Sequence, residues 1–271
     1  MSYCNYYQKK ENRKSDALEH FRKMDIHMKS KIKHSIKETT IYGGDGIAVP
    51  HVEKEKSDSQ TSYITIDSLD SVSSLFQHKQ GKTAVLNFAS YKNPGGKFLE
   101  GSFAQEECLC HASTLYNVLM CIPEYYNWNI KHKNNSLYTD RALYSKDIIF
   151  FDTGDSPRQE KETADVITCA APNFAAAYKY SHITADKNLT VLMERIRFIL
   201  DIVADNHVDT LISGAFGCGA FGQDAAVVAY VFKSFLEKFD YGLKNIYFSV
   251  PDTGKDANYQ KFRYVFCKYK E

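Results

Sequence analysis

Two glutamates stand side by side, Glu106 and Glu107, at the end of the segment Asn93-Pro-Gly-Gly-Lys-Phe-Leu-Glu-Gly-Ser-Phe-Ala-Gln-Glu-Glu107. Carboxyl groups held in a turn are candidates for general acid–base work. The apolar run Ala84–Ala89 before the segment reads as a buried strand. The loop then lies where open α/β sheets take their ligands, at the carboxyl ends of the strands. Gly95 and Gly96 allow a sharp turn and a close approach of backbone to ligand. Gln105, Glu106 and Glu107 fall in the first turn of the helix that follows. Neighbours on a helix point about 100° apart, so one glutamate is expected to do the chemistry and the other to orient. The helix dipole is expected to depress both pKa values, and a bound ligand would have to desolvate the acid. A plainer role stays open. Ser102-Phe-Ala-Gln105 fits a capping box, and two glutamates suit the positive end of a helix without any chemistry.

A second glycine loop, Ser213-Gly-Ala-Phe-Gly-Cys-Gly-Ala-Phe-Gly222, also joins an apolar strand to a helix. Its four glycines expose successive backbone N–H groups, and the helix starting near Gln223 is expected to add its positive end, a combination suited to a pyrophosphate. Gly217-x-Gly219-x-x-Gly222 matches the dinucleotide fingerprint formally. It comes late in the chain, however, and no acidic strand-end residue follows at the expected distance. No Gly-Lys-Ser/Thr is present, which excludes an NTPase P-loop. Phe216 and Phe221 could be core or hinge residues, or could stack on a sugar or base.

The elements that must position these loops follow from periodicity. Residues 1–15 are polar and expected to be mobile, and helical spacing runs from Asp16 to about Thr39. Tyr63–Ile66, Ile148–Phe151, Val166–Cys169, Thr210–Ser213 and Ile246–Val250 read as strands. Ser102–Met120, 188–204 and Ala225–Phe239 read as helices, and Phe262–Tyr269 as an edge strand or a last helix. Ser59–Gln60 and Thr153–Ala164 are polar loops, and the Tyr/Asn-rich stretch 124–145 is a long excursion. Strands alternating with helices argue for an α/β fold with helices on both faces of a mixed sheet. Nothing in residues 16–271 marks a linker or repeat, so they are expected to form one domain.

Composition narrows the function classes. With 44% apolar residues, 25% charged residues and a net charge of +1, the chain is of ordinary globular type and not polyanion-binding in bulk. Residues 1–37 are nevertheless basic, with ten Lys/Arg against four Asp/Glu, a pattern that fits a solvated helix face or a nucleic-acid arm. The seven cysteines are odd in number and scattered, which suits reduced thiols, and Cys108-x-Cys110 lacks zinc-site spacing. No membrane-length apolar run and no signal-peptide core are evident. The expectation is an intracellular protein, cytoplasmic or nuclear, without metal or cofactor and with a monomer as the default.

Pro94-Gly-Gly-Lys-Phe-Leu-Glu-Gly-Ser-Phe-Ala-Gln-Glu-Glu107, with Cys110-x-x-Ser113-x-Leu115-Tyr116 after it, resembles the signature of the microbial-type poly(ADP-ribose) glycohydrolases. The resemblance extends to Val85-Leu-Asn-Phe-Ala89, to Ala171-Pro172-Asn173 and to Gly214–Gly222, and covers roughly residues 28–271. It implies a macrodomain-like three-layer α/β/α sandwich with a mixed central sheet and an amino-terminal helical extension. It implies that Glu107 protonates the departing oxygen, that Glu106 holds a sugar hydroxyl and that Gln105 supports the turn. Gly95 and Gly96 would line the distal ribose. Gly217, Cys218, Gly219, Ala220 and Gly222 would hold the diphosphate, and Phe221 would press the ribose into place. Asn87, Pro172 and Asn173 join the ligand-contacting set on the same grounds.

The family's third glycine is Lys97 here. Its side chain is expected over the mouth of the site, altering how the group beyond the ribose is accommodated, or else to swing into solvent. The implied activity is hydrolysis of poly(ADP-ribose) to ADP-ribose. Removal of mono-ADP-ribose from protein or nucleic acid stays open, as does a non-catalytic ADP-ribose-binding module. The intact Gln105-Glu106-Glu107 argues against a pure binding module.

Overall fold

The run Thr83–Phe88 becomes a strand because four of its six residues are apolar and five are buried, as a central strand covered on both faces requires. The computed structural model describes residues 3–57, 62–152, 161–254 and 257–267. In chain order the elements are α1 (Tyr3–His27), α2 (Lys29–Lys37), β1 (Thr40–Tyr42), β2 (Tyr63–Asp67), α3 (Ser71–His78) and β3 (Thr83–Phe88). There follow α4 (Gln105–His111), α5 (Leu115–Leu119), α6 (Pro123–Lys131), β4 (Ala142–Phe151), β5 (Lys161–Cys169) and α7 (Phe174–Ser181). The chain continues with α8 (Ala185–Asp205), β6 (Thr210–Ser213), α9 (Ala225–Lys238), β7 (Asn245–Ser249) and α10 (Asn258–Cys267).

The seven strands form one mixed sheet in the order β1-β4-β5-β3-β6-β7-β2. β1 and β4, and β4 and β5, are antiparallel; every other neighbouring pair is parallel. Alternation along the strands divides the core in two. Leu86, Ile167, Leu211 and Phe248 face α8, α9 and α10, whereas Val85, Val166 and Ile212 face the helices from α1 to α6. This is the expected three-layer sandwich. The carboxyl ends of β3, β5, β6 and β7 lie side by side, so the loops after β3 and β6 open at one edge of the sheet.

Four expectations are refined. From Tyr3 onward the polar amino-terminal stretch lies in α1, and Arg13 Nε donates to Gly101 O at 2.9 Å, against the loop that precedes α4. The stretch 102–120 is not one helix but α4 and α5, parted where Ser113 Oγ turns back to accept from Leu115 N. The 124–145 excursion contains α6, with Pro123 at its first position, where the lost N–H does no harm. Phe262–Tyr269 resolves as helix up to Cys267. The Ser59–Gln60 loop, residues 153–160 of the second polar loop and the end of the last segment lie outside the described residues. No helix among the described residues is long and apolar enough to cross a membrane.

Candidate active site

Gln105 anchors the site. Its Oε1 accepts from Phe88 N at 2.8 Å, while its Nε2 donates to Leu86 O at 2.8 Å and to Ser71 Oγ at 3.1 Å. The side-chain amide thus completes the hydrogen bonding of β3 where the strand runs out, and it pins the first turn of α4 to the sheet. The expected Ser102–Gln105 capping box does not form. The N-cap is Ala104, and its N–H is taken by Glu107 Oε2 at 3.1 Å.

Both carboxyl groups are buried, Glu106 at 4% and Glu107 at 7% exposure. Glu106 accepts from Ser90 N at 2.6 Å and, more loosely, from Asn87 Nδ2 at 3.4 Å. Glu107 accepts from Lys97 N at 2.9 Å through its other oxygen. The two carboxyls converge despite their helical offset. A Cβ built on Gly96 would lie 2.5 Å from Glu107 Oε1 and 2.9 Å from Glu106 Oε2. Gly96, with φ +62°, is therefore the floor between them, and a side chain there would displace both.

The helix dipole does not set the charge of Glu106 as expected. Burial pushes the Glu106 carboxyl up to about 8, reinforced by the neighbouring Glu107 and opposed by the N–H groups of Ser90 and Gly95 and the Asn87 amide. Desolvation wins because an α-helix end offers only a partial charge, whereas removal from water acts on the whole carboxylate.

The second loop wraps around its own turns. Cys218 N bonds Ala215 O, Gly222 N bonds Gly219 O and Gln223 N bonds Gly217 O. The N–H groups of Gly217, Gly219, Ala220 and Phe221 donate to no backbone carbonyl among the described residues. All four residues line a cavity of about 500 Å³. The helix that follows was expected to add its positive end, but it starts at Ala225 and its first N–H groups are occupied by Asp224 Oδ1, at 2.8 Å from Ala226 N. Any anion held here would rest on the loop amides alone.

The same cavity is lined by Gly96, Lys97, Gln105, Glu106 and Glu107. Two glycine loops about 120 residues apart in sequence thus meet at one space. A second cavity of about 540 Å³ adjoins it, sharing Phe88, Ala104, Gln105 and Ala215 and extending between Asp70, Val250 and Asn258.

The microbial-type PARG catalytic-domain family matches residues 9–153, more than half of the chain and including the carboxylate pair. The chain belongs to this family. Poly(ADP-ribose) glycohydrolase from Thermomonospora curvata is similar over 94% of this chain and 100% of that one, at 26% identity and a TM-score of 0.82. The same enzyme bound to the inhibitor ADP-HPD matches at 25% identity and a TM-score of 0.79, over the same shares of the two chains. Poly(ADP-ribose) glycohydrolase from Deinococcus radiodurans in complex with ADP-ribose matches at 26% identity and a TM-score of 0.73, over 86% of this chain and 96% of that one. Comparison with curated proteins gives no match.

Several residues that the family signature suggested as ligand contacts sit one step behind the cavity. Asn87 is fully buried and hydrogen-bonds Glu106 and Thr168. A Cβ on Gly95 would meet the Tyr116 ring at 2.5 Å, so packing by itself requires a glycine there. Pro172 is buried and its carbonyl accepts from Gln223 Nε2, while Asn173 caps α7 by accepting from Ala176 N at 3.0 Å. Cys218 and Gly222 do not line the cavity, and Gly222 turns against Ala175. Phe216 is a core residue, packed against Phe88 at 5.7 Å, whereas Phe221 lines the cavity. Ser90, Lys92 and Asn93 also line it. Their position in the turn between Ala89 and Gly95 was the available signal for them.

Lys97 lines the rim with its side chain 61% exposed, and Nζ lies 3.8 Å from Glu100 Oε2. Its φ of −114° suits any residue, so the backbone there does not need the family's glycine. An exposed pair of this kind holds the lysine weakly.

Proposed function

We propose that the chain hydrolyses the ribose–ribose O-glycosidic bond of poly(ADP-ribose) and releases ADP-ribose. What carries the reading is the meeting of an amide nest and a buried carboxyl pair in one cavity. The nest at Gly217–Phe221 takes the diphosphate. The distal ribose then lies between Phe221 and Gly96, and the adenosine enters the adjoining cavity beside Asp70 and Val250.

Glu107 donates the proton to the departing oxygen as the anomeric carbon–oxygen bond breaks. In the free protein the proton resides on Glu106, where burial holds it. A ribose hydroxyl that donates to Glu106 favours the ionised form of that group, which frees the proton for Glu107. The sugar cation is stabilised by the diphosphate and by ionised Glu106. Water then adds to the anomeric carbon and returns its proton to Glu107. The arrangement differs from the glycosidases whose two carboxylates face the sugar from opposite sides. The thiols of Cys108, Cys110, Cys121 and Cys169 form no disulfide, which suits a reducing compartment, and an intracellular enzyme is part of this reading.

The test measures ADP-ribose released from automodified polymer and from mono-modified protein by the parent and by Glu107→Gln. The variant is expected to bind ADP-ribose like the parent and to lose release by ~10² or more. Equal rates would refute the role of Glu107. Release from the mono-modified protein alone would refute the polymer as substrate.

A further inference from the structure

The end of the excursion between α6 and β4 has an unusual backbone. Asn134, Asn135, Ser136 and Tyr138 all have positive φ, at 44°, 51°, 70° and 63°. Asparagine tolerates this region by bonding locally, as Asn134 Nδ2 does to Tyr138 O at 2.9 Å. An aromatic residue has no such compensation of its own and stays there only where its surroundings hold it.

Those surroundings are the two ligand loops. The Tyr138 ring stacks on Tyr91 at 3.8 Å and 10°, and meets Phe221 edge-on at 6.0 Å and 65°. Asn173 N is held by Ser136 O at 3.0 Å, which ties this turn to the start of α7. Tyr91 directly follows Ser90, whose N–H holds Glu106. Tyr91 is itself fixed, with its hydroxyl on His132 O and its carbonyl accepting from Asn129 Nδ2 at 2.9 Å. Phe221 is tied at its backbone, where its carbonyl accepts from Ala175 N at 3.0 Å, but its ring borders the open cavity. A single strained residue therefore spans the carboxylate loop and the amide nest.

We propose that Tyr138 is a positioning residue: it sets the Phe221 ring against the distal ribose and ties that placement to the loop that holds Glu106. The proposal rests on the reading of the cavity as the ADP-ribose site. It assigns the Tyr/Asn-rich excursion a role in the site, namely to deliver one ring to the junction of the two loops.

The experiment compares full-length parent, Tyr138→Phe, Tyr138→Ala, Phe221→Ala and the double variant Tyr138→Ala/Phe221→Ala. Tyr138→Leu, which keeps an apolar body without the stacked ring, replaces the alanine variants if they unfold. The readouts are ADP-ribose affinity by calorimetry, KM and kcat on polymer, and melting temperature. Tyr138→Phe keeps the stack and is expected near the parent. Tyr138→Ala is expected to weaken ADP-ribose binding and raise KM by about 10-fold, with a smaller change in kcat. Because Tyr138 acts through Phe221, the double variant is expected to be no weaker than Phe221→Ala alone. Parental affinity in Tyr138→Ala, even with a lowered melting temperature, overturns the proposal, as do single losses that multiply in the double variant. A parent that binds no ADP-ribose overturns the functional reading, and this proposal with it.

Discussion

Replacing Glu106 with glutamine is expected to make the protein more stable at alkaline pH while disabling it. The unfolded chain ionises this carboxyl near 4.5, and the folded protein only at about 8. Between those values the folded state holds one more proton, so stability falls as pH rises through the window, and the loss is complete above pH 8. At about 1.4 kcal/mol per decade the full effect is on the order of 3–5 kcal/mol. The substituted glutamine has no charge to desolvate. Its carbonyl can accept from Ser90 N as the carboxyl does now, and once the Asn87 amide, which now points Nδ2 at Glu106, turns over, the glutamine amide can donate to Asn87 Oδ1, which is buried without a partner among the described residues. For a domain of this size a melting-temperature difference of roughly 5–15 °C follows. Thermal melts of parent and Glu106→Gln at about pH 5 and about pH 8.5 test it, the two ends of the titration window. The two proteins should melt together at the acidic end, where Glu106 is neutral when folded, and separate at the alkaline end with the variant higher. A gap of equal size at both ends, or a variant that melts lower at the alkaline end, would refute the view that desolvation dominates this carboxyl. Polymer hydrolysis by the variant should fall by ~10² or more, since a glutamine amide cannot exchange a proton as a carboxyl does.

Two other substitutions probe the geometry around the pair. Gly96→Ala places a Cβ 2.5 Å from Glu107 Oε1 and forces a side chain into left-handed backbone. Hydrolysis should drop by ~10² while the fold survives, and circular dichroism with a polymer assay would show both. Lys97→Gly restores the family's glycine at a position whose φ is already negative, so stability should barely change. If the lysine touches the group beyond the ribose, the ratio of activity on polymer to activity on mono-modified protein should shift several-fold and lose part of its salt dependence. Identical ratios in parent and variant would leave Lys97 as a solvent-facing residue.

The fold was legible where burial is one-sided or complete. Ala84–Ala89, Thr210–Ser213 and 188–204 carry their apolar pattern openly, and each forms the element expected of it, the first as β3 one residue earlier. Periodicity failed where side chains, rather than the backbone pattern, decide the element. Ser113 breaks the helix after His111 by turning its hydroxyl onto neighbouring backbone, an interaction that leaves no mark on the apolar spacing. The start of α1, from Tyr3, reads as polar because an outer helix needs only a narrow buried stripe. In α1 that stripe is Ala17 and Met24, with Arg13 reaching across to Gly101.

At the site, residue types were readable but their layering was not. Nothing in the sequence separates Gly96, which lies between the carboxyls, from Gly95, which packs on Tyr116. Nor does it separate Phe221 from Phe216, since both are aromatic and flanked by glycine. The rise of the Glu106 carboxyl was missed for a related reason. A first-turn position in a helix is normally wet, whereas Glu106 is buried at the end of β3, against Ser90 and Asn87.

The adjacency of the two glutamates ceases to be an obstacle once the roles of their neighbours are separated. Two carboxyls about 100° apart on a helix can reach one point only if the turn is fixed firmly enough for the side chains to bend inward. Gln105 supplies that fixation with three hydrogen bonds to β3 and α3, and α1 braces the far side of the loop through Gly101. Gly96 then leaves the space into which they bend. In such a space ionisation of Glu106 is disfavoured by burial and by the neighbouring Glu107, so this carboxyl retains its proton near neutral pH. A site that must donate a proton to a leaving oxygen needs that stored proton. The same desolvation that lowers the stability of the fold at alkaline pH is what keeps it in place.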